Sequence, residues 1–411
     1  MAKNILIISS NYTGHGHKSI TDSLLEKFSL YPDVNVHVID GFSLIGNVGL
    51  RIGKLYGSIT RNAKELWKMM WEVSMKKPSI VNDFTEISIR ESFFKLLQSV
   101  KPDLILSVHP NFNGSILNIL EEYEINIPFV TLIADLVSIS PLWADDRVNY
   151  VICPTKESKY KCLEFGVSEA QLKLTGFPVR KRFVDHLNKD HEERVYNRNR
   201  PLECLIMSGG EGSGNMNTIA RILLKNFNCK VKIVTGRNKV LKRRLERSLY
   251  ERFGTERVEI FGFTDNIQEL MLSSDLAITR GSPNVMMEVV ACNVPLIVTG
   301  NLPGQEEGNP GYLLKHNLGV VCKDTKKLKS IVRELLLNNG SKLKKIKKSQ
   351  KKFFNPNSAK EIVDFVLSIE GPEVINIPDN ISRFWDIGKR INIPEKINIK
   401  KKITLRRQSK F

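Results

Sequence analysis

The chain has 411 residues, 41% hydrophobic and 26% charged, with a net charge of +18. This composition excludes a mostly disordered, collagen-like or multi-span membrane protein, and the length accommodates two or three domains with large buried cores. The six cysteines lie no closer than nine positions apart, so there is no zinc or redox signature and a cytoplasmic protein is expected.

The first segment, 4–9 (NILIIS), is short and apolar, and no small-residue cleavage site follows it. It reads as a β-strand rather than a signal peptide. Residues 19–28 place Ile20, Leu24, Leu25 and Phe28 on one helical face. Further strands are predicted at 34–39, 103–108, 129–133 and 150–153, with helices such as 116–123 between them. A second series follows at 203–207, 230–235, 258–261, 276–279 and 295–298. Strands spaced by helices imply right-handed crossovers and parallel sheets. Glycine-rich strand-to-helix turns at 12–18 and 208–214 point to two doubly wound α/β domains. We expect an N-terminal Rossmann-like domain over 1–180, a C-terminal one over 181–370 and a basic aromatic tail over 371–411, with the polar stretch between 176 and 200 at the boundary.

The region 51–77 breaks this rhythm. Ile52, Leu55, Tyr56, Ile59, Ala63, Leu66, Trp67 and Met70 fall on one helical stripe, with Arg51, Lys54, Arg61, Lys64 and Lys68 across the other face. Such a basic amphipathic segment suits a bilayer interface, or packs internally on the first sheet. The positive charge is concentrated. Residues 323–352 hold eleven lysines and one arginine against Asp324 and Glu334, a net of +10, and 389–411 carry a net of +8. Patches of this kind suit an anionic surface, either phospholipid or nucleic acid, although a lysine-rich helix over 342–352 is also what a solvated face looks like. The tail sets Phe384, Trp385 and Ile391 beside Arg383, Lys389 and Arg390, as a surface anchor or a flexible tail would.

Four segments carry the chemistry. In TGHGHK (13–18), Gly14 and Gly16 allow close backbone approach, and His17 lies at the carboxyl end of a parallel strand, where α/β sheets bind ligands. His17 is the leading general base, and His15 competes for that role. The loop SGGEGSG (208–214), with Gly209, Gly210, Glu211 and Gly212, lacks the Lys-Ser/Thr of a nucleotide-hydrolysing P-loop and reads as a loop that substrate approaches. In LAITRGSPNVMME (276–288), helix amides near Asn284 suit a diphosphate, with Arg280 close by and Glu288 within reach of ribose hydroxyls. The polar NLPGQEEGN (301–309) suits sugar hydroxyls. Two facing α/β domains with such loops suggest nucleotide-sugar chemistry in a cleft.

NYTGHGH, SVHP (107–110), ADLVSISPLW (134–143), CPTKES (153–158) and TGFPVR (175–180) are followed by SGGEGSG, GFTDNIQELM (262–271), ITRGSPNVMMEVV (278–290) and PGQEEGN (303–309). In this order they resemble the monogalactosyldiacylglycerol synthase and processive diacylglycerol glucosyltransferase group of glycosyltransferase family 28, over about 3–367. The resemblance implies a GT-B fold, two Rossmann-like domains facing across a cleft. It also implies inverting transfer of a hexose from UDP-glucose or UDP-galactose to diacylglycerol, without a metal or other cofactor. It places the base on His17 and a second catalytic group on Asp135, with Gly14, His15, Gly16 and His109 in the acceptor loop. The diphosphate turn falls on Ser282, Pro283, Asn284 and Val285, the ribose carboxylate on Glu288, the sugar contacts on Gln305, Glu306 and Asn309, and the uracil beside Phe263. The turn departs from the family's common Lys-Pro-Gly-Gly, having Arg280, Gly281, Ser282 and Pro283, and Ser140 stands where a histidine is common.

The expected protein is therefore a glycolipid synthase held peripherally on the inner face of the cell membrane through Lys54, Arg61, Lys64, Trp67 and Lys68. A same-fold transferase with an isoprenoid-linked or other lipid acceptor is the nearest alternative. A catalytically degenerate sugar-binding relative is another. A nucleic-acid-binding protein would use the lysine runs but would leave the glycine loops unexplained, and no RRM, KH or helix-turn-helix signature supports it.

Overall fold

The structure is a computed structural model that describes residues 2–11, 16–47, 49–51, 53, 55, 59, 63–188, 194–208, 215–372 and 374–378. The described residues up to 376 form one compact unit. Gly14, His15, Lys54, Arg61, Gly209, Gly210, Glu211, Gly212, the Lys64 side chain and the tail from 379 onward lie outside the described residues.

The first sheet contains β1 (Lys3–Ser9), β2 (Val34–Asp40), β3 (Leu104–Ser107), β4 (Phe129–Leu132), β5 (Tyr150–Cys153) and β6 (Leu172–Leu174). All are parallel, in the order β2-β1-β3-β4-β5-β6, with Ile5 opposite both Val36 and Leu104. Ile5, Leu6, Ile7 and Ile8 are all fully buried. A parallel sheet covered on both faces needs such unbroken apolar runs in place of alternation. The helices of this half include α1 (Gly16–Phe28), α2 (Lys64–Lys76), α3 (Pro78–Val100), α4 (Asn113–Glu122) and α5 (Lys156–Glu164), of which α2 packs on α3 rather than on the sheet.

The second sheet is also parallel. It holds β7 (Leu202–Met207), β8 (Cys229–Val234), β9 (Val258–Phe261), β10 (Leu276–Thr279), β11 (Leu296–Val298) and β12 (Gly319–Val321), in the order β12-β11-β10-β7-β8-β9. Its helices are α6 (Met216–Asn226), α7 (Lys239–Phe253), α8 (Ile267–Leu272), α9 (Pro283–Ala291), α10 (Asn309–Lys315) and α11 (Leu328–Phe353). One core joins Cys204, Ile206, Ile219, Leu223, Ile233, Leu245 and Ile278. Strand order reverses between β1 and β3 in the first sheet and between β7 and β10 in the second. Each reversal opens a crevice at the carboxyl ends of the strands, where ligands of such sheets bind.

The lysine run at 342–352 resolves into an amphipathic half-helix. α11 is broken at Leu337–Gly340, where Asn338, Asn339 and Gly340 have φ of 51°, 54° and 71°, the left-handed region that asparagine and glycine tolerate. Beyond the break, Leu343, Ile346 and Gln350 are buried, while Lys342, Lys344, Lys345 and Lys348 face solvent. The last helix among the described residues, α12 (Ser358–Ser368), returns to the first half and packs on α1. Lys3 Nζ donates to the carbonyls of Leu367 at 3.0 Å and Ile369 at 2.6 Å. All six cysteines are free and buried. No helix among the described residues is long and apolar enough to cross a membrane.

Candidate active site

β1 and β3 deliver the first group of side chains to their shared switch point. Just past β3, the carbonyl of Val108 lies 2.5 Å from His17 Nδ1. A carbonyl only accepts, so Nδ1 carries the hydrogen and Nε2 keeps its lone pair. His17 is only 8% exposed. Burial lowers its pKa to about 4, although the Val108 bond opposes the shift, so the ring is neutral near pH 7. The His109 ring stacks beside it, with centroids 4.4 Å apart, and is pushed well below the usual histidine range by burial and by the neighbouring His17. Phe42 meets the His109 ring edge-on at 5.3 Å. Gly16, Asn284 and Glu288 form a seam between the halves. A Cβ on Gly16 would lie 2.6 Å from Asn284 Nδ2, and Ser19 Oγ donates to Glu288 Oε1 at 3.1 Å.

Asp135, past the end of β4, is 3% exposed. Its Oδ2 accepts the Trp143 indole N–H at 2.9 Å, and its Oδ1 accepts the Gln305 amide at 2.9 Å. Burial, with the Glu306 carboxylate nearby, raises its pKa to about 7 against the pull of those two donors. Trp143, whose ring centroid lies 6.1 Å from that of His17, links the two groups.

On the second sheet, the turn after β10 starts α9. Ser282 is the N-cap residue, Pro283 occupies the first turn, and Met286 makes the first intrahelical bond back to Ser282. The Asn284 and Val285 amides precede that bond and have no helical acceptor of their own. Asn309 is fully buried and donates from Nδ2 to the Gly281 carbonyl at 2.8 Å. Glu306 is 4% exposed, and it takes Arg280 Nη2 on Oε1 at 3.1 Å and the Leu302 amide on Oε2 at 2.7 Å. Both were expected to touch a sugar, and both also brace the turn through these bonds. Thr279 Oγ1, Arg280 Nε and Asn309 Oδ1 are buried around this turn without a hydrogen-bond partner. Glu288, 7% exposed, is ion-paired with Arg180 at 2.8 Å through Oε1, the oxygen that Ser19 also contacts. Phe263 is exposed, with the Arg237 guanidinium 5.4 Å from its ring centroid. Gln305 crosses to Asp135, and the Gly308 amide donates to Ser138 Oγ at 3.0 Å.

Thus His17, His109, Asp135, Gly16 and Gln305 join Asn284, Glu288, Arg280 and Glu306 along one seam. Ser19, Trp143 and Arg180 belong to it and were not singled out from sequence. Trp143 closes ADLVSISPLW and Arg180 closes TGFPVR, so both lay inside recognised motifs without a type-specific signal. The segment holding Trp67 was expected either at a membrane interface or packed internally; the Trp67 indole donates to the Pro303 carbonyl at 3.2 Å, and a Cβ on Gly304 would strike the Trp71 ring. The indoles of α2 therefore pack on the 303–304 loop. Lys68 is exposed. Among the described residues, no three His, Cys, Asp or Glu side chains cluster to hold a metal ion.

The architecture matches solved structures along most of its length. MurG of Acinetobacter baumannii superposes with a TM-score of 0.61 at 13% identity, covering 89% of this chain and 100% of that one. UDP-GlcNAc 2-epimerase from Neisseria meningitidis bound to UDP-GlcNAc does so with a TM-score of 0.56 at 14% identity, over 89% of this chain and 100% of that one. The monogalactosyldiacylglycerol (MGDG) synthase family model matches residues 17–179, and the glycosyltransferase family 28 C-terminal domain model matches residues 204–363. Monogalactosyldiacylglycerol synthase 2, chloroplastic, of Arabidopsis thaliana is 27% identical over 379 residues, covering 88% of this chain and 80% of that protein. Monogalactosyldiacylglycerol synthase, chloroplastic, of Spinacia oleracea is 27% identical, covering 88% of this chain and 71% of that protein. The molecule is a glycosyltransferase of GT-B fold. Within that class, its first half resembles the monogalactosyldiacylglycerol synthase family and its second half the C-terminal domain of glycosyltransferase family 28.

Proposed function

We propose that the protein transfers a hexose from a UDP-hexose to the free hydroxyl of diacylglycerol or a related lipid, with inversion at the anomeric carbon. The observation that carries this reading is the neutral His17, its Nδ1–H committed to Val108 and its Nε2 available, where the N-termini of α1 and α9 meet. In this reading His17 Nε2 accepts the acceptor hydroxyl proton while the oxygen attacks the anomeric carbon and the bond to UDP breaks. The UDP diphosphate gathers negative charge as it leaves. The Asn284 and Val285 amides, the helix dipole of α9 and Arg280 stabilise that charge without reorganising. Oε2 of Glu288 receives a ribose hydroxyl, the backbone at Phe263 flanks the uracil, and Asp135 orients the acceptor with Gln305. Glu306 and Asn309 hold the turn in shape. No metal is assigned a step.

The acceptor is a lipid, so the protein works at an anionic membrane surface. Exposed apolar rows support this: Leu66, Met69, Met70 and Val73 on α2, and Ile80, Phe84 and Ile87 on α3, flanked by the exposed Lys68, Lys76 and Lys77. The test is product analysis. Incubation with diacylglycerol vesicles and labelled UDP-galactose or UDP-glucose is expected to give a glycolipid whose new linkage is β, opposite to the donor. A product with retained configuration, or label released only as free sugar, would refute the reading.

A further inference from the structure

Away from the seam, α6 and α7 enclose an open groove of about 810 Å³. Arg221 enters it from α6, and Arg243, Arg244, Arg247 and Arg252 enter it from α7; Glu251 is the one acid among the lining residues. The spacing explains the convergence. Arg243, Arg247 and Glu251 make one i, i+4 row, and Arg244, Ser248 and Arg252 make the next, so two adjacent rows of α7 face one helix edge. Arg221 is held in place. Its Nη2 donates to Ser248 Oγ at 2.8 Å, Ser248 Oγ in turn lies 3.3 Å from Asn217 Oδ1, and its Nε is buried without an acceptor. Among the described residues, no carboxylate pairs with Arg221, Arg243, Arg244, Arg247 or Arg252. Elsewhere on α7, Lys242 does pair with Glu246.

Five guanidinium groups against one carboxylate repel one another, and their forked donors match the geometry of phosphate oxygens. A solvated face would intersperse paired acids, as Lys242 and Glu246 do. We propose that this groove is a second anion site, built for a phosphate group carrying two or more negative charges and separate from the site at α9. None of its lining residues takes part in the seam. The group belongs either to a phospholipid head group or to a soluble phosphorylated compound.

The test uses the full chain and an Arg244→Gln/Arg247→Gln variant, both exposed positions, with unchanged Tm checked first. Inorganic pyrophosphate is titrated by calorimetry with UDP present in excess. Phosphatidylcholine vesicles with and without phosphatidate, and an RNA oligonucleotide, are assayed in parallel by sedimentation. The expected result is saturable pyrophosphate binding that weakens at least about tenfold in the variant, the scale of losing charge-assisted bonds. Phosphatidate-dependent retention that falls with the same substitutions identifies a lipid source, and pyrophosphate binding without it identifies a soluble one. The proposal is overturned if wild type binds neither phosphate probe, if the variant binds both as wild type does, if UDP displaces the pyrophosphate, or if only RNA is captured.

Discussion

The Nδ1–H of His17 is spent on the Val108 carbonyl, and that single bond decides which nitrogen can act as a base. His17→Ala is expected to lower transfer by about 10²–10⁴-fold, the usual share of a general base, while leaving UDP affinity within about twofold in calorimetry. Undiminished turnover would move the base to Asp135 or to His15. The same burial has a stability consequence. An unfolded imidazole protonates below about pH 6.5, whereas folded His17 resists protonation down to about pH 4. The unfolded state therefore binds more protons in that window, and stability falls as pH falls through it, by up to about 3 kcal/mol. The Tm of wild type should drop between these pH values more steeply than that of His17→Gln, and equal slopes would contradict a buried neutral ring. At this scale, sequence made His17 legible because a glycine turn after a strand has one ordinary use. It left the direction of Glu306 and Asn309 hidden, because a polar loop reads the same whether its side chains face a ligand or their own backbone. Asn309→Ala leaves the Gly281 carbonyl without its donor, and should cost about 1–3 kcal/mol in denaturant unfolding while weakening UDP. Weaker UDP binding with unchanged stability would restore Asn309 to direct contact.

Between elements, the decisive approach is that of α1 to α9. Gly16 has no side chain where Asn284 Nδ2 would meet one at 2.6 Å. A methyl there displaces the end of a flexible amide, so Gly16→Ala is expected to raise the donor KM several-fold at nearly unchanged Tm, since the Asn284 end of the diphosphate turn moves. An unchanged KM would show that the turn does not depend on this contact. The strands that sequence missed, β6 and β12, are three residues each at sheet edges, too short to show a period. The α2 stripe was legible as apolar and basic, yet its allocation was not. Trp67 and Trp71 turn inward to the 303–304 loop, while Leu66, Met69, Met70 and Val73 face outward. Periodicity reports a face, and only packing says what covers it. Met69→Ser/Val73→Ser should therefore reduce vesicle binding without loss of fold, whereas Trp67→Ala should disturb the loop carrying Gln305.

Across the whole molecule, the two sheets are tied by Arg180 to Glu288, Lys315 to Glu157 at 2.6 Å, and Arg182 Nη1 to the Asp265 carbonyl at 2.6 Å. Both switch points thus face a common seam, an arrangement that excludes water from a reacting donor. The parallel α/β alternation and its two halves were legible because inner strands such as β1, β3, β10 and β11 carry short buried apolar runs. The return of α12 to α1 was not, since nothing local marks a long-range contact. With +18 overall, vesicle binding should weaken as salt rises and as anionic lipid is removed, and indifference to both would separate the enzyme from the membrane. The most direct measurement is a crystal structure with an unhydrolysed UDP-hexose bound. Our reading predicts diphosphate oxygens on the Asn284 and Val285 amides and an anomeric carbon facing His17 Nε2. A nucleotide seated elsewhere, with its sugar turned from that imidazole, would contradict it.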